Sequence, residues 1–412
     1  MSVKERLFVA LLIVFSCSQG FALEAKYYAN LDDSMLGGFV GIDPVSKDDL
    51  AKRKGYKFEY SDSILKKITF VDPFRQYGEA ASFFGCASVD YTWTDKNTRL
   101  ATFRDADGKA AKNDSDVFGE KEVYDGQGRV HKLFNLDPQG DVILDSSGVA
   151  FYTYEYDGQT RVSRRFDAYG KQITDGSKVW TRKVTFNKDH LIVISMSYDS
   201  KGKPVADDEG VFGDRYLYDK KNNLVQDDYI KEDKGGVAVD AADGSGIHRT
   251  VYTVDSFGNT LRAATYGLGG KAQADKDGVF ETLTRYDEDG YVVSELTKGT
   301  DGAPCEVKGV AETRYVYDAR KNNLNEKRFT ADSELSVEYR RTFDGQDRVL
   351  VVETFDGAGD PVDQYDDDQG IAYSKAYYVY DAGGQARATY FTADGEQVVP
   401  EAEAPEEQPR SI

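Results

Sequence analysis

The side chains that most often carry catalysis or bind metals are few and widely spaced in this sequence of 412 residues. Its histidines are His131, His190 and His248, and none has a second histidine or a cysteine pair at the short spacing typical of zinc ligands. His190 falls where we predict a turn, which favours a solvated turn residue. We therefore expect no zinc or iron site.

Acidic residues are the abundant chemical groups, with 72 Asp and Glu against 52 Lys and Arg and a net charge of −20. Four clusters offer the hard oxygen ligands that calcium prefers: Asp105-Ala-Asp-Gly108, Asp275-Lys-Asp-Gly278, Asp287-Glu-Asp-Gly290 and Asp366-Asp-Asp368. None continues into an EF-hand loop with its terminal glutamate. Because Asx turns use the same residues without a metal, we expect no cofactor and keep calcium as the alternative.

Tyrosines recur in pairs of the form Tyr-x-Tyr-Asp, and each pair puts two rings on one face of a strand because side chains alternate. The rings can pack on equivalent rings of the next repeat, or they can form stacking platforms for sugars. We favour packing, because a thin sheet needs its bulky rings for burial. The candidate binding surface, on the other interpretation, is Tyr154, Tyr216, Tyr315 and Tyr378.

No arrangement of residues indicates a catalytic centre. There is no Gly-x-Ser-x-Gly elbow before a predicted helix, and Asp and Glu are too frequent for any pair to stand out as the carboxylates of a glycosidase. Cys86 and Cys305 lie in distant parts of the array, so we expect no disulfide between them. We predict that the protein is not an enzyme.

The tyrosine pairs belong to a repeat that organises nearly the whole chain. An aromatic or β-branched residue followed by Asp or Asn recurs with a spacing near 32 residues. Asp at the first position and Gly at the fourth, as in Asp125 and Gly128, predict a type I turn closed by a left-handed residue. The copies are Tyr124-Asp125, Tyr156-Asp157, Phe186-Asn187, Tyr218-Asp219, Val254-Asp255, Tyr286-Asp287, Tyr317-Asp318, Phe343-Asp344 and Tyr380-Asp381.

A second turn follows the first at a distance of 12 residues and leaves eight residues between the turns. In the copy with Ile192, Ile194, Met196 and Tyr198 these residues alternate, which indicates a half-buried strand. A short apolar piece and a Gly-Val-Ala loop complete the unit. We predict an all-β fold, an elongated array of antiparallel β-hairpin and meander repeats with about ten units; a closed propeller is the rival architecture.

The array occupies residues 91–399, where the clear copies lie. Residues 23–90 form an atypical N-terminal segment with a degenerate first repeat, because end units of arrays differ from the rest. Within that segment, Ser46 is predicted to cap a short helix that runs through Lys54. Residues 400–412 form an acidic tail rich in Glu, Pro and Ala, a composition typical of disorder.

Residues 1–22 are typical of a signal peptide. Two basic residues precede the apolar run Leu7–Phe15, which is too short to span a bilayer, and Ala22 ends a candidate cleavage site. Val14-Phe15-Ser16-Cys17 also resembles a bacterial lipobox, so lipid on Cys17 is the alternative. We predict export to the periplasm or cell surface of a bacterium, and we favour the soluble form.

The hairpin unit resembles the YD repeats of bacterial Rhs-type surface and toxin proteins. The residues that carry the resemblance are Tyr124-Asp-Gly-Gln-Gly128, Tyr286-Asp-Glu-Asp-Gly290 and Tyr380-Asp-Ala-Gly-Gly384, and it covers roughly residues 91–399. The period here is longer than in that family, and only the acidic tail follows the array. The resemblance therefore implies an all-β hairpin array at the cell envelope and speaks against a toxin-enclosing shell.

Stacked repeats present long surfaces that suit extended partners. We predict a non-catalytic envelope scaffold or protein-binding surface, with an envelope protein or a surface polysaccharide as partner. A glycan-binding adhesin that uses the repeat tyrosines is the first alternative, and a hydrolase with a site in residues 23–90 is the second. No Lys/Arg cluster stands out, so we expect neither nucleic acid nor an anionic membrane as partner.

Export predicts that the native protein has lost its first residues. N-terminal sequencing of the protein isolated from its own cells should begin after Ala22. A chain that still carries Met1 would contradict export, and a lipid-modified Cys17 at the N-terminus would support the membrane-anchored alternative.

Overall fold

The computed structural model describes residues 24–33, 38–73, 85–175, 178–207, 210–367, 369–381 and 384–400. The predicted signal peptide, residues 74–84 and the acidic tail after residue 400 lie outside the described residues.

The N-terminal segment is mostly strand. Its helix, α1, begins with a capping box in which the Ser46 side chain accepts the Asp49 N–H and Asp49 accepts the Ser46 N–H. The predicted cap is confirmed, but the helix ends at Leu50 rather than Lys54. None of the described helices is long enough to cross a membrane. The elements are β1 (Glu24–Asp33), β2 (Phe39–Pro44), α1 (Lys47–Leu50), β3 (Gly55–Ser61) and β4 (Ile64–Val71).

The rest of the described chain is a succession of strands. They are β5 (Ser88–Trp93), β6 (Thr98–Arg104), β7 (Gly119–Tyr124), β8 (Val130–Leu136), β9 (Phe151–Asp157), β10 (Thr160–Phe166), β11 (Gln172–Ile173), β12 (Thr181–Phe186), β13 (Ile192–Tyr198), β14 (Gly213–Tyr218), β15 (Leu224–Glu232), β16 (Ala238–Asp240), β17 (Ile247–Val254), β18 (Thr260–Gly267), β19 (Glu281–Tyr286), β20 (Val292–Lys298), β21 (Glu312–Tyr317), β22 (Asn323–Phe329), β23 (Leu335–Phe343), β24 (Val349–Phe355), β25 (Gln364–Asp366), β26 (Ile371–Tyr373), β27 (Lys375–Tyr380), β28 (Ala386–Phe391) and β29 (Gln397–Val398).

These strands form one antiparallel meander. The described residues contribute 27 strands to this sheet, and β25 and β26 pair as a separate hairpin. Each long strand pairs along its length with the strand before it; β10, for example, pairs with β9 over seven positions. The first part of β10 pairs with β12 and its last two residues pair with β11. The predicted all-β array of hairpin and meander repeats is confirmed.

The first turn of most units is held by one side chain, whereas Asp157 pairs with Thr160 across a tighter turn between β9 and β10. Between β7 and β8, Oδ1 of Asp125 accepts the N–H groups of Gln127 at 2.8 Å and Arg129 at 2.9 Å. Gly128 closes the turn with φ of 77°, in the left-handed region that favours glycine. The register between the strands then shifts by a β-bulge. These features confirm the type I turn with a bulge.

The Gly-Val-Ala loop is a third turn of the same kind. Oδ1 of Asp145 accepts the N–H groups of Ser147 and Val149, each at 2.9 Å, and Gly148 has φ of 78°. The sequence pattern predicted only a loop here, because the aspartate is not always followed by the same residues. Asp207, Asp243 and Asp275 hold equivalent turns.

In five units, the tyrosine of the Tyr-Asp pair ties its unit to the preceding one. Its hydroxyl donates to the backbone carbonyl of the residue that begins the preceding long strand, where the two strands have separated and that carbonyl faces the ring. We call this contact the tyrosine tie. The donor and acceptor pairs are Tyr156 and Val130 at 2.7 Å, Tyr218 and Ile192 at 2.8 Å, Tyr286 and Thr260 at 3.2 Å, Tyr317 and Val292 at 2.8 Å, and Tyr380 and Val349 at 2.9 Å.

The apolar core is concentrated at the N-terminal end of the sheet. The largest cluster of buried side chains includes Phe58, Ile68, Val89, Tyr91 and Phe103, contributed by β3 to β6. Later units bury much smaller clusters, such as Val184 with Phe186. The N-terminal segment therefore supplies much of the burial that stabilises the beginning of the array.

The sheet curves, so that the first turns of later units contact the N-terminal segment. Asp43, only 3% exposed, meets Lys221 with an Oδ1 to Nζ distance of 3.1 Å. The Arg53 guanidinium lies 3.6 Å from the centre of the Phe257 ring. Three successive units take part. Their contacts with the segment are Asp43 with Lys221, Arg53 with Phe257, and Asp72 with Tyr291.

The tyrosine tie predicts a hydroxyl-specific loss of stability. Tyr317→Phe keeps the ring but leaves the Val292 carbonyl without its donor, so we expect a loss of about 1 kcal/mol in the free energy of unfolding. Urea denaturation measures it. Tyr169→Phe is the matched control, because Tyr169 is 97% exposed; equal stability of the two variants would contradict the tie.

Candidate functional site

Strand register places the four candidate tyrosines on one face of the sheet. Directly paired residues of antiparallel strands share a face, as do residues two apart along a strand. Tyr154 pairs with Ser163, which pairs with Arg182, and Tyr216 pairs with Asp227. The pairing continues through the later strands to Tyr315 and Tyr378. We call this surface the tyrosine face.

The four tyrosines are half-buried among polar neighbours. The Arg161 guanidinium lies 4.9 Å from the ring centre of Tyr154. The Tyr315 hydroxyl donates to Glu295 at 3.3 Å, and burial raises the pKa of Tyr315 to about 12. Burial likewise raises the pKa of Tyr216 and Tyr378. The rings therefore contribute to packing and keep one part open to solvent.

Two carboxylates of the tyrosine face, Asp214 and Asp227, lie on neighbouring strands. The two do not each have a basic partner. Burial, with the nearby charges of Asp214 and Asp228, raises the pKa of Asp227 to about 7. Oδ1 of Asp227 is buried and accepts no hydrogen bond from the described residues. Burial also raises the pKa of Asp214, against the opposing effect of Arg182. Sequence reasoning missed this pair because aspartate is so frequent in the turns.

The opposite face carries ladders of ion pairs across neighbouring strands. Asp228, only 2% exposed, receives Arg249 with an Nε to Oδ1 distance of 2.6 Å and Arg215 with an Nε to Oδ2 distance of 3.4 Å. The hydrogen bonds from Arg249 keep the pKa of Asp228 below its usual range despite burial. Arg262 and Glu281 repeat the pattern further along. Most charges of this face are therefore paired within the sheet.

Exposed aliphatic side chains recur beside the first turns. Leu217, Val316 and Val379 precede the tyrosines of the ties and are 46%, 53% and 69% exposed. Leu261 and Leu324 are unpaired residues at β-bulges, a position at which side chains are re-aimed. We call the set the aliphatic row. It consists of Leu217, Leu261, Val316, Leu324, Leu350 and Val379.

The histidines and cysteines are not brought together. His190 is an exposed turn residue with φ of 67°, as predicted. His248 is buried, with its Nδ1 2.7 Å from the Ala241 carbonyl. Neither Cys86 nor Cys305 is part of a disulfide among the described residues. Within the part of the chain that the structure describes, no three potential ligands gather as a metal site.

The acidic clusters act in turns. Asp287 accepts the N–H groups of Asp289 and Tyr291, and Lys321 places its Nζ 2.7 Å from Asp287 and 2.6 Å from Asp289. A lysine therefore already stands where a cation at this turn would bind. Asp368 of another cluster lies outside the described residues.

Comparison with known proteins gives no family. No family model matches this sequence, and no curated protein matches it. Among solved structures, the Photorhabdus luminescens Tc holotoxin pore is similar over 85% of this chain, with 10% identity and a TM-score of 0.27. This chain spans only 23% of the length of that toxin chain.

Two further solved structures show how general the similarity is. A eukaryotic initiation factor matches over 85% of this chain and 95% of its own, with 9% identity and a TM-score of 0.23. A porin-like protein from Bacteroides uniformis matches over 65% of this chain and 92% of its own, with 11% identity and a TM-score of 0.18. Similarities this weak say nothing about function.

Asp227 and Asp228 predict opposite responses to substitution. The raised pKa of Asp227 means that the folded state keeps a proton that the unfolded state loses between about pH 4 and about pH 7, so stability falls as pH rises through that window. Asp227→Asn should therefore stabilise the protein at pH 8 by about 1–3 kcal/mol and have little effect at pH 4.

Asp228→Asn is the matched comparison on the other face. The lowered pKa of Asp228 contributes stability above its ordinary pKa, which is lost as pH falls through the lowered value. This variant should lose about 2 kcal/mol at pH 8 because two guanidiniums are left under-paired. Urea melts at the two pH values measure both changes; destabilisation by Asp227→Asn at pH 8 would contradict the assignment.

Proposed function

We propose that this chain is an exported, non-catalytic repeat scaffold that binds a protein partner along the aliphatic row. The observation that carries the proposal is the recurrence of exposed aliphatic side chains at equivalent positions of the repeat. Single exposed apolar residues are ordinary, but a set that recurs at equivalent positions of several units presents successive contacts to an extended partner.

The charges around the row support a protein partner. The acidic and basic side chains on the face of the sheet opposite the tyrosine face are largely paired with one another, as Asp228 is with Arg249. Paired charges attract an oppositely charged polymer weakly, while aliphatic side chains lose water favourably against a protein surface. The resemblance to the YD repeats of Rhs-type proteins supports a place at the cell envelope.

The non-catalytic assignment has support from the tyrosine face. Its tyrosine hydroxyls contact carbonyls and carboxylates of the same sheet, as those of Tyr317 and Tyr315 do. Polar groups used in this way hold the array together. The half-buried rings of the same face favour a glycan-binding adhesin as the second candidate, with Tyr315 and Tyr378 as platforms.

The test is capture of a partner with a matched pair of surface variants. The full chain is cross-linked in its own envelope fraction, and partners recovered at stoichiometry are identified. The row variant Leu217→Lys, Val316→Lys and Val379→Lys should lose that partner by tenfold or more. The control variant places lysines at exposed apolar residues of the second turns. Its substitutions are Tyr169→Lys, Val237→Lys and Leu268→Lys, and it should retain the partner.

Three results would overturn the proposal. Equal capture of the partner by the row variant and the control variant would show that the aliphatic row does not bind the partner. Binding on a glycan array that is abolished by Tyr315→Ala and Tyr378→Ala in a folded chain would favour the adhesin. Turnover of a cell-wall substrate by the purified protein would show that it is an enzyme.

A further inference from the structure

A polar cavity of about 250 Å³ opens on the tyrosine face between β10 and β14. Register places its polar side chains on that face, because Arg182 pairs with Ser197 and Ser195 pairs with Asp214. Apolar residues, among them Phe212, close one side. The charged and polar lining includes Arg165, Asp175, Arg182, Ser195, Asp207 and Asp214.

Arg165 occupies a position at which other units carry a threonine that hydrogen-bonds within its own repeat. Two residues before the second turn, Thr265 donates its hydroxyl to the Gln273 carbonyl and Thr297 donates to the Cys305 carbonyl, each at 2.6 Å. Thr354 makes the same contact. In these units the polar group at this position is satisfied within its own repeat.

The guanidinium of Arg165 is too large to be satisfied in the same way. Its Nε meets Asp175 Oδ2 at 2.7 Å, and the side chain is only 9% exposed. Its Nη1 is buried and has no hydrogen-bond partner among the described residues. A buried donor without an acceptor destabilises the folded protein, so an oxygen from a ligand would be bound favourably here.

The neighbouring residues leave room and supply further hydrogen-bonding groups. Ser195 is buried and Ser197 is half-buried, and their small side chains border the cavity. Arg182 is exposed at its mouth. Asp214 adds a carboxyl whose pKa burial raises above its usual range.

We propose that this cavity binds one neutral sugar residue. Two guanidiniums, Arg165 and Arg182, line the cavity together with three carboxyls, Asp175, Asp207 and Asp214, so the local charge does not favour phosphate, and the unsatisfied Arg165 donor does not favour a cation. Alternating donors and acceptors beside an apolar side match a ring that carries hydroxyl groups. The volume lies below the ~300 Å³ at which pockets for drug-sized ligands begin, which limits the ligand to about one ring. The site lies apart from the aliphatic row, and of the four candidate tyrosines Tyr216 borders it through its contact with Asp214.

Saturation-transfer NMR on the full chain tests the site. The probes are methyl glycosides of glucose, galactose, mannose and N-acetylglucosamine at millimolar concentration, with glucuronate and inorganic phosphate beside them. At least one neutral glycoside should bind. Arg165→Thr, which installs the residue found at the equivalent positions, and Ser195→Val, which keeps the side-chain size, should each weaken binding tenfold or more.

Arg164→Thr is the control, because it removes the same charge from the other face of the same strand. Circular dichroism and thermal melts confirm that each variant folds. Wild-type binding by both cavity variants would overturn the site, as would binding of glucuronate or phosphate alone, or of no glycoside. Amide shift mapping on the unsubstituted chain gives an answer that needs no variant. Shifts at residues 165, 195 and 214 are expected, and shifts confined to Tyr315 and Tyr378 would overturn the proposal.

Discussion

The structure depends on one short-range interaction, in which the carboxylate or amide oxygen of a turn residue accepts two backbone N–H groups. In a one-layer sheet, no packing against a second layer can correct a turn that reverses the chain with the wrong geometry. Each strand finds its neighbour only if the turn before it is fixed, and Asp125, Asp145 and their equivalents fix it. Much of the acidic character of the chain therefore serves its backbone.

The same one-layer construction explains how the two faces are used. Tyrosine ties join successive units on one face, where the ring covers the gap between separating strands. Cross-strand ion pairs such as Arg262 with Glu281 occupy the other face. Neither face buries enough apolar surface to form a deep core, so the N-terminal cluster and its contacts with later first turns contribute a large share of the tertiary packing.

Positions that depart from the repeat are the informative ones for function. Thr265 and Thr297 satisfy their hydroxyls within their own units, whereas Arg165 and Asp227 leave buried polar atoms without partners. Residues that recur at the same position of the repeat serve the structure. A residue that departs from this pattern and costs stability without a structural gain is expected where the protein binds a ligand. The aliphatic row is a different case, because there the repeat itself places apolar side chains in solvent.

The sequence by itself determined the all-β class, the period, two of the three turns, and the cap at Ser46, because turn chemistry and alternation are local and Asp, Gly and Tyr report them directly. The third turn was recognised only from the structure, in which the Asp145 side chain accepts two backbone N–H groups. Only the tertiary structure decided that Lys221, Phe257 and Tyr291 return to the N-terminal segment, since the curvature of a sheet sums small twists over many strands. It also decided which residues share the cavity at Arg165, because strand register brings together side chains from four strands that no spacing in the sequence connects.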